Sequence, residues 1–158
     1  MPEPRLRIVS GGQTGVDRAA LDAALERGLP CGGWCPRGRR AEDGAIPERY
    51  PLQETAETDY AVRTRRNIED SDATLILHRG VLSGGTALTE RLAHRLGKPC
   101  LLVDLDVDPE TATVRDWLRR HAVATLNVAG PRESQAPGIH DQALAFLRRL
   151  LTDLGAEG

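Results

Sequence analysis

The sequence predicts an α/β protein: a doubly wound, Rossmann-like parallel sheet of about five or more strands, with helices on both faces. Two observations support this prediction. Short β-rich or continuous apolar runs alternate along the chain with amphipathic helical segments. Two of these runs lead directly into glycine-rich loops that open helices, which is the usual strand-to-helix connection of such sheets.

The first part of the chain contains a strand, a helix and a second strand. Residues 5–9 are β-rich and meet a glycine loop, so they are predicted to form the first strand. Apolar residues at helical spacing predict a helix over residues 16–27, which Gly28 ends. Residues 30–34 are predicted to form the second strand. The stretch 36–50 has proline, glycine and charge without a period, and it is predicted to be a long loop of the kind that is often functional.

The middle of the chain repeats the alternation. A helix is predicted over residues 58–70. The run Ala73-Thr74-Leu75-Ile76-Leu77 is continuously apolar apart from one threonine, as expected for a parallel strand covered on both faces. The loop Ser83-Gly84-Gly85-Thr86 follows and opens a helix to Leu96, which Gly97 closes.

The last part of the chain adds two more strand-and-helix pairs. Strands are predicted over residues 99–103 and 122–128, with a helix over 109–120 that has Pro109 in its first turn. A loop at 129–138 leads to an amphipathic helix over 139–154. The predicted apolar face of that helix comprises Ala143, Leu144, Phe146, Leu147, Leu150 and Leu151. Because no linker or repeat interrupts the pattern, we expect one domain over residues 1–158.

Composition excludes several classes of function. The net charge is −2 and the few aromatic residues are scattered, which argues against nucleic-acid binding. The apolar runs are too short to span a bilayer, and Met1-Pro2-Glu3-Pro4-Arg5 does not resemble a signal peptide, so we expect a cytoplasmic protein. Cys31 and Cys35 have no nearby histidine to complete a zinc site. With Cys100, they are expected to be buried or partly buried thiols in strands, and no metal site is predicted.

The loop Ser10-Gly11-Gly12-Gln13-Thr14-Gly15 is the first candidate binding loop. Its three glycines allow positive φ angles and a close approach of ligand to main chain. The helix after it is expected to offer free N–H groups and a positive dipole end to a phosphate or another oxyanion. Asp17, in the first helical turn, either complements that dipole or accepts hydrogen bonds from a ligand.

Two further loops extend this prediction. Ser83-Gly84-Gly85-Thr86 also joins a strand to a helix, with Thr86 placed to cap it, and two such loops on one sheet indicate an anionic ligand. The third loop contains Gly130 and Glu133. In it Arg132 can contact phosphate bidentately and Ser134 can donate a hydrogen bond, although a plain surface loop is an equal interpretation.

Arginines form two clusters. In the long loop, Arg37 lies between Pro36 and Gly38 and is predicted to contact the ligand, whereas Arg39 is predicted to be solvated. On the predicted helix over 58–70, Arg63 and Asn67 are four residues apart and share one face. Arg65 and Arg66 on the same helix are predicted to be solvated.

Taken together, these motifs resemble the molybdenum cofactor carrier proteins, within the wider Rossmann-like SLOG group that includes lysine-decarboxylase-like phosphoribohydrolases and DNA-processing proteins. The resemblance spans nearly the whole chain. The motifs that carry it are Gly11–Asp17, Gly33–Gly44, Arg63-Thr64 with Asn67, Ser71–Thr74, Gly84–Thr86 and Asn127–Ser134.

The resemblance implies a homo-oligomer, a dimer or tetramer, that binds the pterin-based molybdenum cofactor (molybdopterin) as cargo. Such a protein stores the cofactor or hands it on, with molybdoenzymes or cofactor-synthesis proteins as partners. Loops and matching motif positions together give the predicted ligand-binding set: Gly11, Gly12, Gln13, Thr14, Gly15, Asp17, Pro36, Arg37, Gly38, Arg63, Asn67, Ser83, Gly84, Gly85, Thr86, Gly130, Arg132, Glu133 and Ser134.

The rival interpretation is an enzyme that cleaves nucleoside monophosphates. Phosphoribohydrolases of the wider group carry a Pro-Gly-Gly-x-Gly-Thr-x-x-Glu motif whose glutamate serves the reaction. In this chain Glu90, the alternative catalytic residue, follows Thr86 by four positions instead of three. That shift rotates its carboxylate by about 100° around the helix, so a carrier is favoured over a hydrolase. A nucleotide sensor using the same site is a third interpretation.

Overall fold

The computed structural model describes residues 5–157. Strands and helices alternate over most of this length, as the sequence predicts, and the first third also contains short additional strands. In chain order the elements are β1 (Arg7–Val9), α1 (Val16–Glu26), β2 (Cys31–Gly32), β3 (Trp34–Cys35), β4 (Arg40–Ala41), β5 (Gly44–Ala45), β6 (Gln53–Glu54), α2 (Tyr60–Glu69), β7 (Ala73–His78), α3 (Gly84–Arg95), β8 (Cys100–Asp104), α4 (Thr111–Arg120), β9 (Thr125–Ala129) and α5 (Ile139–Glu157).

The central sheet has five parallel strands in the order β2-β1-β9-β7-β8. Helix α5 packs on α1 and α4, whereas α2 packs on α3. The connection through α1 leads from β1 to one edge of the sheet, and the connection through α3 leads from β7 to the other. Crossover connections between parallel strands are right-handed. Because these two connections run toward opposite edges of the sheet, α1 and α3 lie on opposite faces of it. The predicted doubly wound α/β fold is therefore confirmed.

This strand order creates a topological switch point. Strands β1 and β7 lead away from each other, and β9 lies between them. In open α/β sheets, ligands bind in the crevice outside the carboxyl ends of the strands at such a point. The loops that follow β1, β7 and β9 surround this crevice, and these are the three candidate loops that the sequence identified.

The main core lies between the sheet and α1, α4 and α5. Its strand residues, such as Leu75, Leu77 and Leu126, are fully buried. Burying one such side chain stabilises the fold by about 1.5–3 kcal/mol. Every residue of the predicted apolar face of α5 is buried here, which confirms that prediction.

Three local predictions were wrong. The strand predicted over 30–34 is interrupted at Gly33, whose φ is +135° and where a Cβ would lie 2.2 Å from the Ser10 carbonyl oxygen. The chain therefore leaves the main sheet, and β3 pairs with β6 instead. The loop predicted over 36–50 contains the antiparallel hairpin of β4 and β5. Pro109 lies before α4, which begins at Thr111.

The cysteines are as predicted. Cys31, Cys35 and Cys100 are free thiols in β2, β3 and β8, with Cys35 buried and the others half-buried. Burial raises the pKa of Cys100 to about 11, so this thiol is protonated at neutral pH. Within residues 5–157, no group of three or more histidine, cysteine, aspartate or glutamate side chains could hold a metal ion. Over the same range, no helix is long and apolar enough to cross a membrane.

Candidate functional site

A cavity of about 230 Å³ lies at the carboxyl ends of β1, β9 and β7, between α2 and the start of α3. It is where the topological switch point predicts a ligand. Ten of the predicted ligand-binding residues line it: Gly11, Gln13, Asp17, Arg63, Asn67, Gly84, Gly85, Thr86, Gly130 and Arg132. The remaining nine are not in its wall: Gly12, Thr14, Gly15, Pro36, Arg37, Gly38, Ser83, Glu133 and Ser134.

Asp17 and Arg63 form a buried ion pair at one side of the cavity. Arg63 Nη1 lies 4.0 Å from Asp17 Oδ2 and donates to the Gly11 carbonyl oxygen at 2.8 Å. The pair leaves no room for a side chain at Gly11, where a Cβ would lie 2.3 Å from Arg63 Nη1. A side chain at this position would therefore displace the Arg63 guanidinium from its place beside Asp17.

Asp17 is the buried acid of the cavity wall. Burial raises its pKa from 3.8 to about 6, although Arg63 and the backbone amide of Gln13 oppose the shift. The amide of Gln13 donates to Asp17 Oδ2 at 3.2 Å. Asp17 therefore supports the first loop and lines the cavity. The two roles left open by the sequence, complementing the helix dipole or accepting hydrogen bonds from a ligand, stay predictions.

The start of α3 lines the cavity and has no side-chain cap. Ser83 is the N-cap but makes no side-chain capping hydrogen bond, and Thr86, expected to cap the helix, lies inside its first turn. Backbone bonding begins at the amide of Thr86, which donates to the Ser83 carbonyl oxygen. In the part of the chain that the structure describes, no protein group accepts from the amides of Gly84 and Gly85. Gly85 lines the cavity, and a Cβ added there would meet no atom within 4 Å.

The first loop differs from the expectation. The amide of Val16, at the start of α1, donates to the Pro131 carbonyl oxygen instead of facing a ligand. The amide of Thr14 is occupied by Gln13 Oε1. A Cβ at Gly15 would lie 2.3 Å from the Pro131 oxygen, so the third loop closes this helix end. The dipole end available to a ligand is that of α3.

Some residues of the third loop line the cavity and others lie outside it. Arg132 lines the cavity, and Gly130 packs so tightly that a Cβ would lie 2.2 Å from the Leu77 carbonyl oxygen. The Glu133 carboxylate accepts from the amides of Gly138 and His140, so it caps the start of α5. Glu133 therefore has a structural role in this conformation.

The long loop places its arginines away from the cavity. Arg37 is exposed, and neither it nor its neighbours Pro36 and Gly38 line the wall. Arg39, predicted to be solvated, instead inserts its guanidinium among backbone carbonyls. The acceptors are Ile46, Pro47, Tyr50 and Leu52. Arg39 thus holds the loop together, and the prediction of a solvated side chain was wrong.

Arg65 and Arg66 of α2, both predicted to be solvated, have different contacts. Arg65 is exposed and pairs with Glu69, as expected of a solvated helix face. Arg66 packs over the Trp34 ring, with its guanidinium carbon 4.7 Å from the centroid. Asn67 binds both backbone polar groups of Trp34, at 2.7 and 3.0 Å, and so joins α2 to β3.

Glu90 does not line the cavity, whereas Thr89, one residue earlier on α3, does. Glu90 lies near Cys100, where its charge contributes to the raised thiol pKa. The structure therefore places the alternative catalytic glutamate outside the site.

Sequence reasoning missed several lining residues that reach the cavity through the tertiary fold. They include Tyr60, Ala61, Thr64, Leu88, Thr89, Asn127 and Gln135. Asn127 carried a readable signal, because it is a polar residue inside an otherwise apolar strand and is only 3% exposed. Tyr60 carried none, since only the packing of α2 brings it to the cavity.

Comparison with known proteins yields two matches. The circularly permutated YpsA SLOG family matches residues 8–151. A crystal structure from Syntrophus aciditrophicus SB, of a "putative molybdenum carrier protein", is 45% identical with a TM-score of 0.91. Their alignment covers 95% of this chain and 98% of that chain. A search of curated protein sequences found no match.

Proposed function

Because the chain belongs to the circularly permutated YpsA SLOG family, we propose that it binds the pterin-based molybdenum cofactor as cargo. The phosphate-bearing ligand occupies the cavity between α2 and α3, and the protein stores it or hands it on. The name of the 45% identical Syntrophus protein supports the molybdenum-related part of this proposal. The cavity's own residues support the anionic part.

The observation that carries the proposal is the uncapped start of α3. The amides of Gly84 and Gly85 have no acceptor among the described residues, and both glycines line the same cavity as Arg63 and Arg132. A helix N-terminus and a guanidinium are two standard phosphate ligands in proteins. The phosphate of the cofactor therefore lies at this end of the cavity.

The inner wall suits the heterocycle. Asp17 presents a carboxylate, and Asn127 uses its side-chain amide nitrogen to reach Thr74 Oγ1 at 3.3 Å, which leaves its oxygen as an acceptor. Acceptors of this kind pair with the ring N–H and amino groups of a pterin. Tyr60 and Leu88 add apolar surface for a planar ring.

Cavity size favours holding a ligand that stays partly accessible. Ligand pockets commonly measure about 300–1,000 Å³, and this cavity measures about 230 Å³. Part of the cofactor therefore remains outside, where a recipient molybdoenzyme or cofactor-synthesis protein can reach it. A carrier is favoured over a nucleotide hydrolase because Glu90 is not in the wall. We expect the carrier to act in the cytoplasm as a homo-oligomer.

Gly85→Leu tests the proposal, because Gly85 lines the cavity and a leucine adds bulk at that wall without backbone strain. His94→Leu, on an exposed position of the same helix, is the matched control. In titrations with a phosphorylated pterin followed by its fluorescence, we expect Gly85→Leu to lose affinity at least about tenfold. The control is expected to bind like the wild type, and both variants to unfold at the wild-type denaturant concentration. Undiminished pterin binding by folded Gly85→Leu would refute the proposed site.

A further inference from the structure

The tip of the β4–β5 hairpin inserts a carboxylate between the first and third loops. Glu42 accepts hydrogen bonds from Thr14 Oγ1, from Ser134 Oγ and, at 3.1 Å, from the Ser134 amide. Arg132 Nε lies 3.5 Å from the same carboxylate. Only 20% of the Glu42 side chain is exposed. Two hydroxyls, one amide and one guanidinium thus surround a single anionic group.

This donor set is that of an oxyanion site. Hydroxyls, backbone amides and arginine are the groups that proteins use to bind phosphate and related tetrahedral anions. Burial alone would raise the pKa of Glu42, but hydrogen bonds from Ser134 and Thr14 outweigh it and lower the pKa below its ordinary value. Glu42 is therefore charged at neutral pH and acts as the anion that these donors hold.

The site borders the proposed ligand cavity. Arg132 and Gln13 line the cavity, and both also meet Glu42, whose amide donates to Gln13 Oε1 at 2.9 Å. Arg132 Nε is buried and makes no hydrogen bond with any described residue, since its contact with Glu42 is poorly aligned. An unsatisfied buried donor is costly, and a tetrahedral anion has more acceptor directions than a carboxylate.

The hairpin tip has a second attachment beside Glu42. The neighbouring Asp43 already binds Arg18 through two hydrogen bonds of 2.6 and 2.8 Å. The Arg18 side chain is itself only 11% exposed and also donates to the Gly12 carbonyl oxygen. Glu42 can therefore leave its donors while Asp43 keeps the tip in place.

We propose that Thr14, Ser134 and Arg132 form a second oxyanion subsite, which Glu42 fills as an internal anion until an oxyanion group of the ligand displaces it. The inference rests on the proposed function, because it adds a second anionic position to that cavity. The ligand class is one with a phosphate at one end and a molybdate-like oxyanion at the other. The start of α3 holds one group and this subsite holds the other.

The test uses inorganic phosphate and molybdate as probes in calorimetric titrations of the full chain. Glu42→Ala vacates the subsite, and we expect it to bind at least one probe about tenfold more tightly than the wild type does. Asp43→Ala alters the same tip without vacating the subsite, and it should show no gain. In Glu42→Ala/Ser134→Ala the gain should disappear, because a donor is lost.

No gain in folded Glu42→Ala, or a gain that persists without the Ser134 hydroxyl, would overturn the proposal. If Glu42→Ala does not fold, Glu42→Gln replaces it, because this variant keeps the shape of the side chain and removes its charge. The same gain in probe binding, and the same loss of that gain with Ser134→Ala, are then expected. Gly85→Leu in the Glu42→Ala background separates the two proposals. The subsite gain is expected to survive that substitution, whereas pterin binding is expected to be lost.

Discussion

At the residue scale, the cavity depends on an acid held in an unfavourable environment. Asp17 is 6% exposed and lies 4.0 Å from Arg63, yet its burial outweighs this partner and raises its pKa to about 6. Perturbed groups of this kind are concentrated at functional sites. If the proposed function holds, we expect a pterin N–H group to donate a hydrogen bond to the Asp17 carboxylate and so to compensate part of the desolvation.

The raised pKa of Asp17 predicts a pH-dependent stability. The unfolded chain ionises near the ordinary value of 3.8 and the native chain near 6, so stability falls as the pH rises through this window. About two pKa units correspond to about 3 kcal/mol of unfolding free energy. Asp17→Asn removes this term. The unfolding free energy of Asp17→Asn minus that of the wild type is therefore expected to rise by about 2 kcal/mol between pH 4 and pH 7, since the unfolded chain is already partly ionised at pH 4.

Urea unfolding at the two pH values measures this difference directly. A difference between variant and wild type that is the same at pH 4 and pH 7 would contradict a raised pKa for Asp17. Asp116→Asn, at an exposed position of α4, tests whether the effect belongs to the buried position. No comparable change is expected for that control.

Local sequence motifs identified residues that line the cavity, and ligand binding by these residues stays a prediction. Gly85 and Arg132 follow strands in the sequence, and both line the cavity. Tyr60 was missed because only the packing of α2 brings it to the cavity, which no local motif encodes. Asn127 was missed although it stands out as a polar residue inside an otherwise apolar strand. Arg39 was misassigned for the same reason, since its acceptors are formed by a loop that folds back over it.

At the element scale, two similar glycine-rich loops have different functions. Both follow strands and precede helices, so the sequence predicts the same anion-binding role for both. The start of α1 is closed by the Pro131 carbonyl oxygen, whereas the start of α3 is open to the cavity. The partner that distinguishes them is more than a hundred residues from the first loop. This contact therefore could not be predicted from either motif.

The hairpin loop also yields a prediction at this scale. Arg39→Ala removes the guanidinium that binds four backbone carbonyls over residues 46–52. Because those acceptors lose a charged donor, we expect local destabilisation of about 2 kcal/mol. Hydrogen exchange at the amides of Ile46 and Leu52 should accelerate about 30-fold, whereas exchange in α1 should not change.

Arg40→Ala is the matched control for Arg39→Ala, since Arg40 is adjacent in sequence but exposed. It is expected to leave exchange over residues 46–52 unchanged. Equal exchange in Arg39→Ala and the wild type would show that the loop does not depend on this guanidinium.

At the scale of the whole molecule, strand order brings the site together. Alternating strands and helices were enough to predict a parallel doubly wound sheet. They did not give the order β2-β1-β9-β7-β8, in which the last strand enters the centre. That placement carries the third loop, and with it Arg132, between the other two loops. The site is therefore a consequence of topology as much as of its motifs.

The most direct test of the central claim is to identify what the purified wild-type protein carries. The protein is produced in a host that makes the molybdenum cofactor, then denatured, and the released small molecules are examined by mass spectrometry and pterin fluorescence. We predict a phosphate-bearing pterin from the wild type, and little or none from Gly85→Leu prepared in parallel. Release of a nucleotide without pterin, or equal pterin release from both proteins, would contradict the proposed carrier function.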